Sequence, residues 1–391
     1  MKIEVAIADG EPLILDDGVL ESEAPPPEAP AVRLAYAAAH VILLDSYRQR
    51  SADDDVGEHV DWARTMAFRQ HLASHGLGIA EAMDTAQRFE LGWPSARRLI
   101  QECGALKLPG GFIAGAGADQ RPQIDSADPL IEAVLEQIEV IEAAGGIPIV
   151  LPMPWLCRWK SDESGFVDAY RAIIEGARGP LFLHWLGPMF LAELEGYFPG
   201  DSLERILDLD PSKVRGIKMS MLDDALELEV RQRCRERGQI LLTGDDFHFS
   251  ALIEGDGQAP TGTVKVGDLE VPDGDFSHPL LGVLDGVAPA AGRALGHLAA
   301  GDIGAYRRSM APCEAYGQKV FEAPTESYKV GLAFTAWLNG HQPNRLLING
   351  LEESRDRQHL LEVAQLASKA GCISDAALAA SRLQLFLAGE A

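Results

Sequence analysis

From about residue 32 to residue 300, short apolar runs alternate with longer amphipathic ones. The apolar runs predict strands at "VRLAYA" (32–37), "GLGIAEAM" (76–83), "GFIAGAG" (111–117), "IPIVLPM" (147–153), "PLFLHW" (180–185), "VRGIKMS" (214–220), "QILLTGD" (239–245) and "LLGVLDG" (280–286). They show little polar alternation, as strands covered on both faces do. Helical patterning fills the gaps, at 60–75, 94–104, 127–144, 163–177, 223–237 and 288–300. Eight strand–helix units in succession, joined by right-handed crossovers, predict an α/β fold, a (β/α)8 TIM barrel spanning 32–300. An open doubly wound sheet is the weaker alternative. It would call for a strand–GxGxxG–helix fingerprint, and "AGAGADQ" (114–120) lacks the third glycine.

Three segments lie outside the repeat. In residues 1–31, "KIEVAI", a turn at Asp9-Gly10 and "EPLIL" read as a hairpin, followed by the stiff proline-rich connector "SEAPPPEAP" (22–30). This predicts an appendage to the barrel. Residues 301–391 carry helical patterning throughout, a C-terminal helical subdomain. Residues 254–278 form a polar insertion with a hairpin about Gly267-Asp268, between the seventh helix and the eighth strand. Such loops lie on the face opposite the catalytic one, so a packing or oligomer element is expected there, not a lid.

Composition narrows the partners. The chain has 391 residues, 47% of them hydrophobic, enough for a sizeable core. With 59 acids against 34 bases, its net charge of −25 repels nucleic acid and anionic membrane, and neither is expected as a partner. No run is long and uncharged enough to span a bilayer, and "MKIEVAIADGEP" has no signal-peptide core. Five scattered cysteines without a CxxC suit the reduced thiols of a cytoplasmic protein.

In a barrel the chemistry stands at the C-terminal ends of the strands. Those ends offer Glu81, Asp84 and Thr85; Gly115, Gly117 and Asp119; Met153, Pro154 and Trp155; His184 and Trp185; Lys218; Thr243, Gly244, Asp245, Asp246 and nearby His248; and Asp285. Lys218 is the only charge between Arg215 and Asp223. A lysine desolvated in that way loses its proton more readily, and a neutral amine attacks carbonyls. The bland alternative is an ion-paired lysine at a strand end. His184 suits a proton shuttle or a hydrogen-bonded core histidine. Asp245 and Asp246 suit substrate contact or, for at least one of them, a helix cap. Trp155, Trp159 and Trp185 could floor a pocket or merely pack. Glu81, Asp84, His184 and His248 could converge on a metal, but no spaced metal motif supports it, and no metal is expected.

"VRGIKMS", "LLTGDDFHFSALI" and "LLGVLDGVAPAAGRALGHLAAGDIGAYRRSMAPCEAYGQKVF", with "FIAGAGA" at the third strand, resemble the dihydrodipicolinate synthase / N-acetylneuraminate lyase superfamily. The resemblance covers about residues 32–345 in order of elements. It implies that Lys218 forms a Schiff base with a small carbonyl substrate, with no cofactor, in a homo-oligomer, a dimer or tetramer. It also marks departures, as of a divergent branch. "MDTAQ" (83–87) stands where that superfamily binds a 2-oxo acid carboxylate with paired threonines; Thr85 remains, but Asp84 replaces the first threonine and is expected to repel a carboxylate. His184 stands in place of the proton-shuttling tyrosine. "PMPW" replaces the strand-four tyrosine motif, and Met189 falls near the place of an arginine. The expected site is therefore catalytic Lys218 and His184, with Thr85, Asp84, Trp155, Gly244 and Asp245 at the substrate. The function is a lyase or aldolase acting by C–C cleavage, addition or dehydration. The alternatives are a catalytically lapsed barrel that binds a small molecule and a metal-dependent sugar-acid isomerase or hydrolase. The apolar stretches "VGLAFTAWL" and "LQLFLAG" exceed what covering one barrel needs and favour an oligomer.

Overall fold

The computed structural model describes residues 1–7, 11–20, 25–26, 28–51 and 54–390. Strands β1 (Lys2–Val5) and β2 (Leu13–Asp16) pair antiparallel; the Asp9-Gly10 turn lies outside the described residues. The barrel strands are β3 (Tyr36–Ala38), β4 (Gly78–Glu81), β5 (Phe112–Ala116), β6 (Ile147–Val150), β7 (Leu181–Leu186), β8 (Val214–Ser220) and β9 (Ile240–Thr243). After an antiparallel hairpin, β10 (Gly262–Val266) and β11 (Leu269–Asp273), the barrel is completed by β12 (His278–Leu281). All eight neighbours pair parallel, and Leu280 opposite Tyr36 closes the ring. The architecture is the (β/α)8 barrel that the alternating pattern predicts.

Inward positions of successive strands meet in one cluster that includes Tyr36, Ile113, Ile149, Phe182, Leu242 and Leu280. Val264, Val266 and Val271 of the β10–β11 hairpin join the same cluster, so the insertion plugs the N-terminal mouth of the barrel. Arg215 Nε donates to the Lys265 carbonyl at 2.7 Å and pins the plug to the start of β8. With that end sealed, the C-terminal mouth is left for the site.

The eighth strand differs from expectation. Its sequence is apolar through both the strand and the helix that follows, so no change of period marks the boundary. β12 ends at Leu281, and the helix Leu284–Ala299 begins where a strand was expected. Asp285 thus sits on the first turn of a helix. Its Oδ2 accepts from the His40 backbone N–H at 2.9 Å and lies 2.8 Å from His40 Nδ1.

The C-terminal segment builds the helices Ile303–Val320, Tyr328–Leu338, Arg357–Lys369 and Ala376–Ala388. Every residue of Tyr328–Leu338 is buried, as an all-round apolar helix must be. The N-terminal hairpin is not an appendage: Val5, Leu13 and Leu15 are buried, and Asp16 N–H donates to Ser368 Oγ at 2.9 Å. No helix among the described residues is long and apolar enough to cross a membrane.

Candidate active site

β7 and β8 set the centre. His184 lies opposite Lys218 in their parallel register. Phe182 belongs to the inner cluster, whereas Leu181 and Leu183 belong to the outer one. The two-residue period of a strand therefore turns His184 inward. Trp185 takes the outward direction, its ring 5.6 Å from that of Phe198. The same alternation turns Ile217 out and Lys218 in.

Lys218 reaches a cavity of about 410 Å³ at the C-terminal mouth. The space for its stem is made by Gly244: a Cβ there would stand 2.7 Å from Lys218 Cε and 2.2 Å from Ser220 Oγ. Among the described residues, no ion pair holds its Nζ. Burial pushes the amine down to about 8, against the pull of Asp246 and Asp84 in the other direction. Asp246 faces it, and burial pushes its carboxyl up to about 7. Asp246 Oδ1 accepts from the Val283 backbone N–H at 2.8 Å, which fixes the carboxyl at the end of β12. A desolvated amine and a desolvated acid thus face each other with pKa values drawn together.

A second cluster closes the other side. Tyr328 OH donates to Asp84 Oδ2 at 2.9 Å, and Lys329 Nζ donates to the same oxygen at 2.7 Å. Since the phenol proton is committed to Asp84, the Thr85 hydroxyl is the donor in its 2.9 Å bond to Tyr328 OH. The Tyr328 ring stacks on Phe321 at 4.3 Å. The expected repulsion of a carboxylate by Asp84 is therefore opposed by its ion pair with Lys329, a buried cation that no local pattern marks. His184 Nε2 lies 3.2 Å from Ser220 Oγ, and its Nδ1 is buried without a partner among the described residues. Burial, with the nearby Lys218 charge, holds the ring well below the usual imidazole range, so it is neutral.

Of the substrate residues expected, Thr85, Asp84, Trp155 and Gly244 line the cavity with Lys218 and His184. Asp245 does not. Its Oδ1 accepts from the backbone N–H groups of Phe247 and His248, and its Oδ2 lies 2.9 Å from His248 Nδ1. Of the acidic pair, Asp245 organises the turn and Asp246 enters the site. Trp159 and Trp185 are packing residues. Asp119 pairs with Arg88 at 2.8 Å, and Glu81 with Arg69 at 2.8 Å. Glu81 and His248 are thus engaged elsewhere, and among the described residues no three His, Cys, Asp or Glu side chains gather closely enough for a metal.

Residues 15–390 match the family described as Protein of unknown function (DUF993). The chain belongs to that family. No curated protein matches the sequence of this DUF993 protein. Among solved structures, it is similar to the sialic acid aldolase of Ruminococcus gnavus, with a TM-score of 0.62 and 13% identity over 87% of this chain and 98% of that one. YagE, an E. coli K12 prophage protein of the dihydrodipicolinic acid synthase family solved in complex with pyruvate, gives 0.61 and 14% over 85% and 98%. The dihydrodipicolinate synthase of Oceanobacillus iheyensis gives 0.56 and 17% over 85% and 95%. The DUF993 protein thus has the fold of the dihydrodipicolinate synthase / N-acetylneuraminate lyase superfamily. Its own site adds four residues beyond those expected at the substrate. Ser220 was legible as the next inward position after Lys218. Asp246 stood in the acidic pair. Tyr328 and Lys329 come from a helix more than a hundred residues away, and no local pattern marks them.

Proposed function

We propose that this protein is a class I lyase or aldolase that forms a Schiff base through Lys218. The observation that carries the reading is a buried amine, without an ion pair among the described residues and lowered to about 8, facing an acid raised to about 7 in the cavity at the C-terminal mouth of the barrel. A neutral Lys218 adds to the substrate carbonyl. Asp246 then gives its proton to the hydroxyl of the adduct, which leaves as water while the iminium forms. In the cleavage direction the Asp246 carboxylate next takes the proton of the substrate's β-hydroxyl, the adjacent carbon–carbon bond breaks, an aldehyde leaves, and the electron pair of that bond flows into the iminium to give an enamine. Reprotonation and attack by water release product and restore the amine. Thr85 and Tyr328 orient the substrate. His184, kept neutral, holds Ser220 and offers its free Nδ1 to a substrate group. The main proton carrier in this reading is therefore Asp246, where the sequence pointed to His184. A cytoplasmic setting goes with the five free cysteines.

Borohydride trapping followed by intact-mass spectrometry tests the proposal. Wild type incubated with 2-oxo acids should gain the mass of a reduced adduct. Lys218→Ala should gain none, and Lys218→Arg should be equally dead, because a guanidinium stays protonated. An adduct on Lys218→Ala would overturn the assignment. Binding of the same acids without any adduct on wild type would favour the second reading, a lapsed barrel that only binds.

A further inference from the structure

The cavity has two unlike halves. Around Lys218 stand Asp246, Asp84, His184, Ser220, Thr85 and Tyr328, which account for the polar chemistry of that half. The half over β6 and β7 is built from Leu151, Trp155, Leu186, Phe190, Leu191 and Leu194. Among the described residues, the charged side chains lining this half are Arg158 and Glu193, and they pair with each other, Arg158 Nε donating to Glu193 Oε2 at 3.0 Å. A polyhydroxylated substrate would bury hydroxyls here against carbon. Each hydroxyl stripped of water without a partner costs roughly 1–3 kcal/mol. The molecule also leaves apolar surface bare at this rim. Leu191 is 38% exposed and Phe89, at the opposite lip, 60%. An apolar ligand would cover both and gain about 25 cal/mol for each Å² it removes from water. The volume, about 410 Å³, is far more than a three-carbon oxo acid fills.

We propose that the natural carbonyl substrate carries an apolar tail, aromatic or branched aliphatic, seated between the loops after β6 and β7. This rests on the Schiff-base reading for the position of the carbonyl and goes beyond it in the chemistry of the rest of the substrate. If the reaction is cleavage, the proton of the β-hydroxyl passes to Asp246. The carbon–carbon bond next to that hydroxyl then breaks, its electron pair moves into the iminium, and the product leaving toward the β6–β7 wall is an apolar aldehyde.

Three 2-oxo acids with one reacting group and different tails separate the possibilities: pyruvate, 4-phenyl-2-oxobutanoate and 2-keto-3-deoxygluconate. The concentration giving half-maximal borohydride-trapped adduct is read for each on wild type. The phenyl-tailed acid should half-saturate at a concentration on the order of 10-fold or more below the other two. Leu191→Ser, at a partly exposed rim position, should shrink that ratio. Equal or tighter trapping of the polyol acid would overturn the apolar-tail proposal while leaving the Schiff base standing. Should none of the three give an adduct, the Schiff-base reading fails. Calorimetric binding of the same acids then still decides the tail: phenyl preference upholds it, and polyol preference or no preference overturns it.

Discussion

Lys218 and Asp246 carry the clearest consequences at the scale of single residues. A buried lysine lowered to about 8 sheds its proton in the folded state well before the unfolded chain does, near 10.4. Below about 8 both states hold the proton and the folded state bears the full cost of a desolvated cation. As pH rises from about 8 toward 10.4 only the unfolded chain still binds it, so folding stability rises and the cost fades. Lys218→Met should therefore be more stable than wild type at pH 7, by roughly 1–3 kcal/mol in urea unfolding, and the gain should shrink across that alkaline window. A variant less stable at pH 7 would mean that the amine is better solvated than its burial implies. Asp246 acts in the opposite sense on the amine, since its negative charge favours the protonated lysine. Removing it with Asp246→Asn should move the rise of adduct formation with pH below the wild-type midpoint near 8. It should also slow adduct formation by a factor on the order of 100, because the acid that expels water is gone. An unshifted or higher midpoint in the trapping rate would show that the two groups do not sense each other.

At the scale of elements, the barrel was legible because each strand is a short apolar run that needs no partner to announce itself. Phe182, His184 and the outward Leu183 also obey the strand period, so the inward turn of His184 follows from β7 alone. What the chain did not disclose locally depends on long-range packing: the end of β12, where apolar sequence continues into a helix, and the arrival of Tyr328 and Lys329 over Asp84. A pairing across 245 positions of sequence has no period to betray it. Gly244 is the element-level device on which the lysine depends. The loop after β9 passes so close to β8 that a methyl at 244 would meet the Met219 carbonyl at 2.7 Å as well as the Lys218 stem. The backbone cannot simply yield there, because Gly244 N–H donates to that same carbonyl at 2.6 Å. Gly244→Ala should displace Lys218 and cut turnover and trapping on the order of 100-fold, at a stability cost of about 1–3 kcal/mol in thermal unfolding. Wild-type trapping in that variant would show that the lysine has another path to the cavity.

For the whole molecule, the apolar stretches that favoured an oligomer have a different use. "VGLAFTAWL" is buried inside the protomer, and of "LQLFLAG" Leu383 is buried while Leu385 is exposed. The excess over barrel covering is taken up by a layered C-terminal region with the N-terminal hairpin as its outer leaf, so this apolar content no longer argues for a second copy. The layering links the termini to the site. Leu15 and Leu13 of β2 pack on the two last helices, and Asp17 Oδ2 accepts the otherwise unpaired N–H of Ala376 at 3.0 Å. Phe386 of the last helix meets Phe334 at 5.1 Å, and Phe334 lies on the helix that begins with Tyr328 and Lys329. Leu15 is completely buried, so Leu15→Ala should cost roughly 2–4 kcal/mol in urea unfolding. Because its effect is on packing far from Lys218, the folded fraction of that variant should trap substrate at the wild-type rate. Removing residues 1–17 strips Val5, Leu13 and Leu15 together with the Asp17 bond, and should lower stability by more than the single substitution. It should also loosen the helix that seats Tyr328 and Lys329, so that trapping falls even in the fraction that remains folded. A truncated chain with the wild-type melting temperature would show that the hairpin only decorates the helical layer, and that Tyr328 is held in the site by the barrel alone.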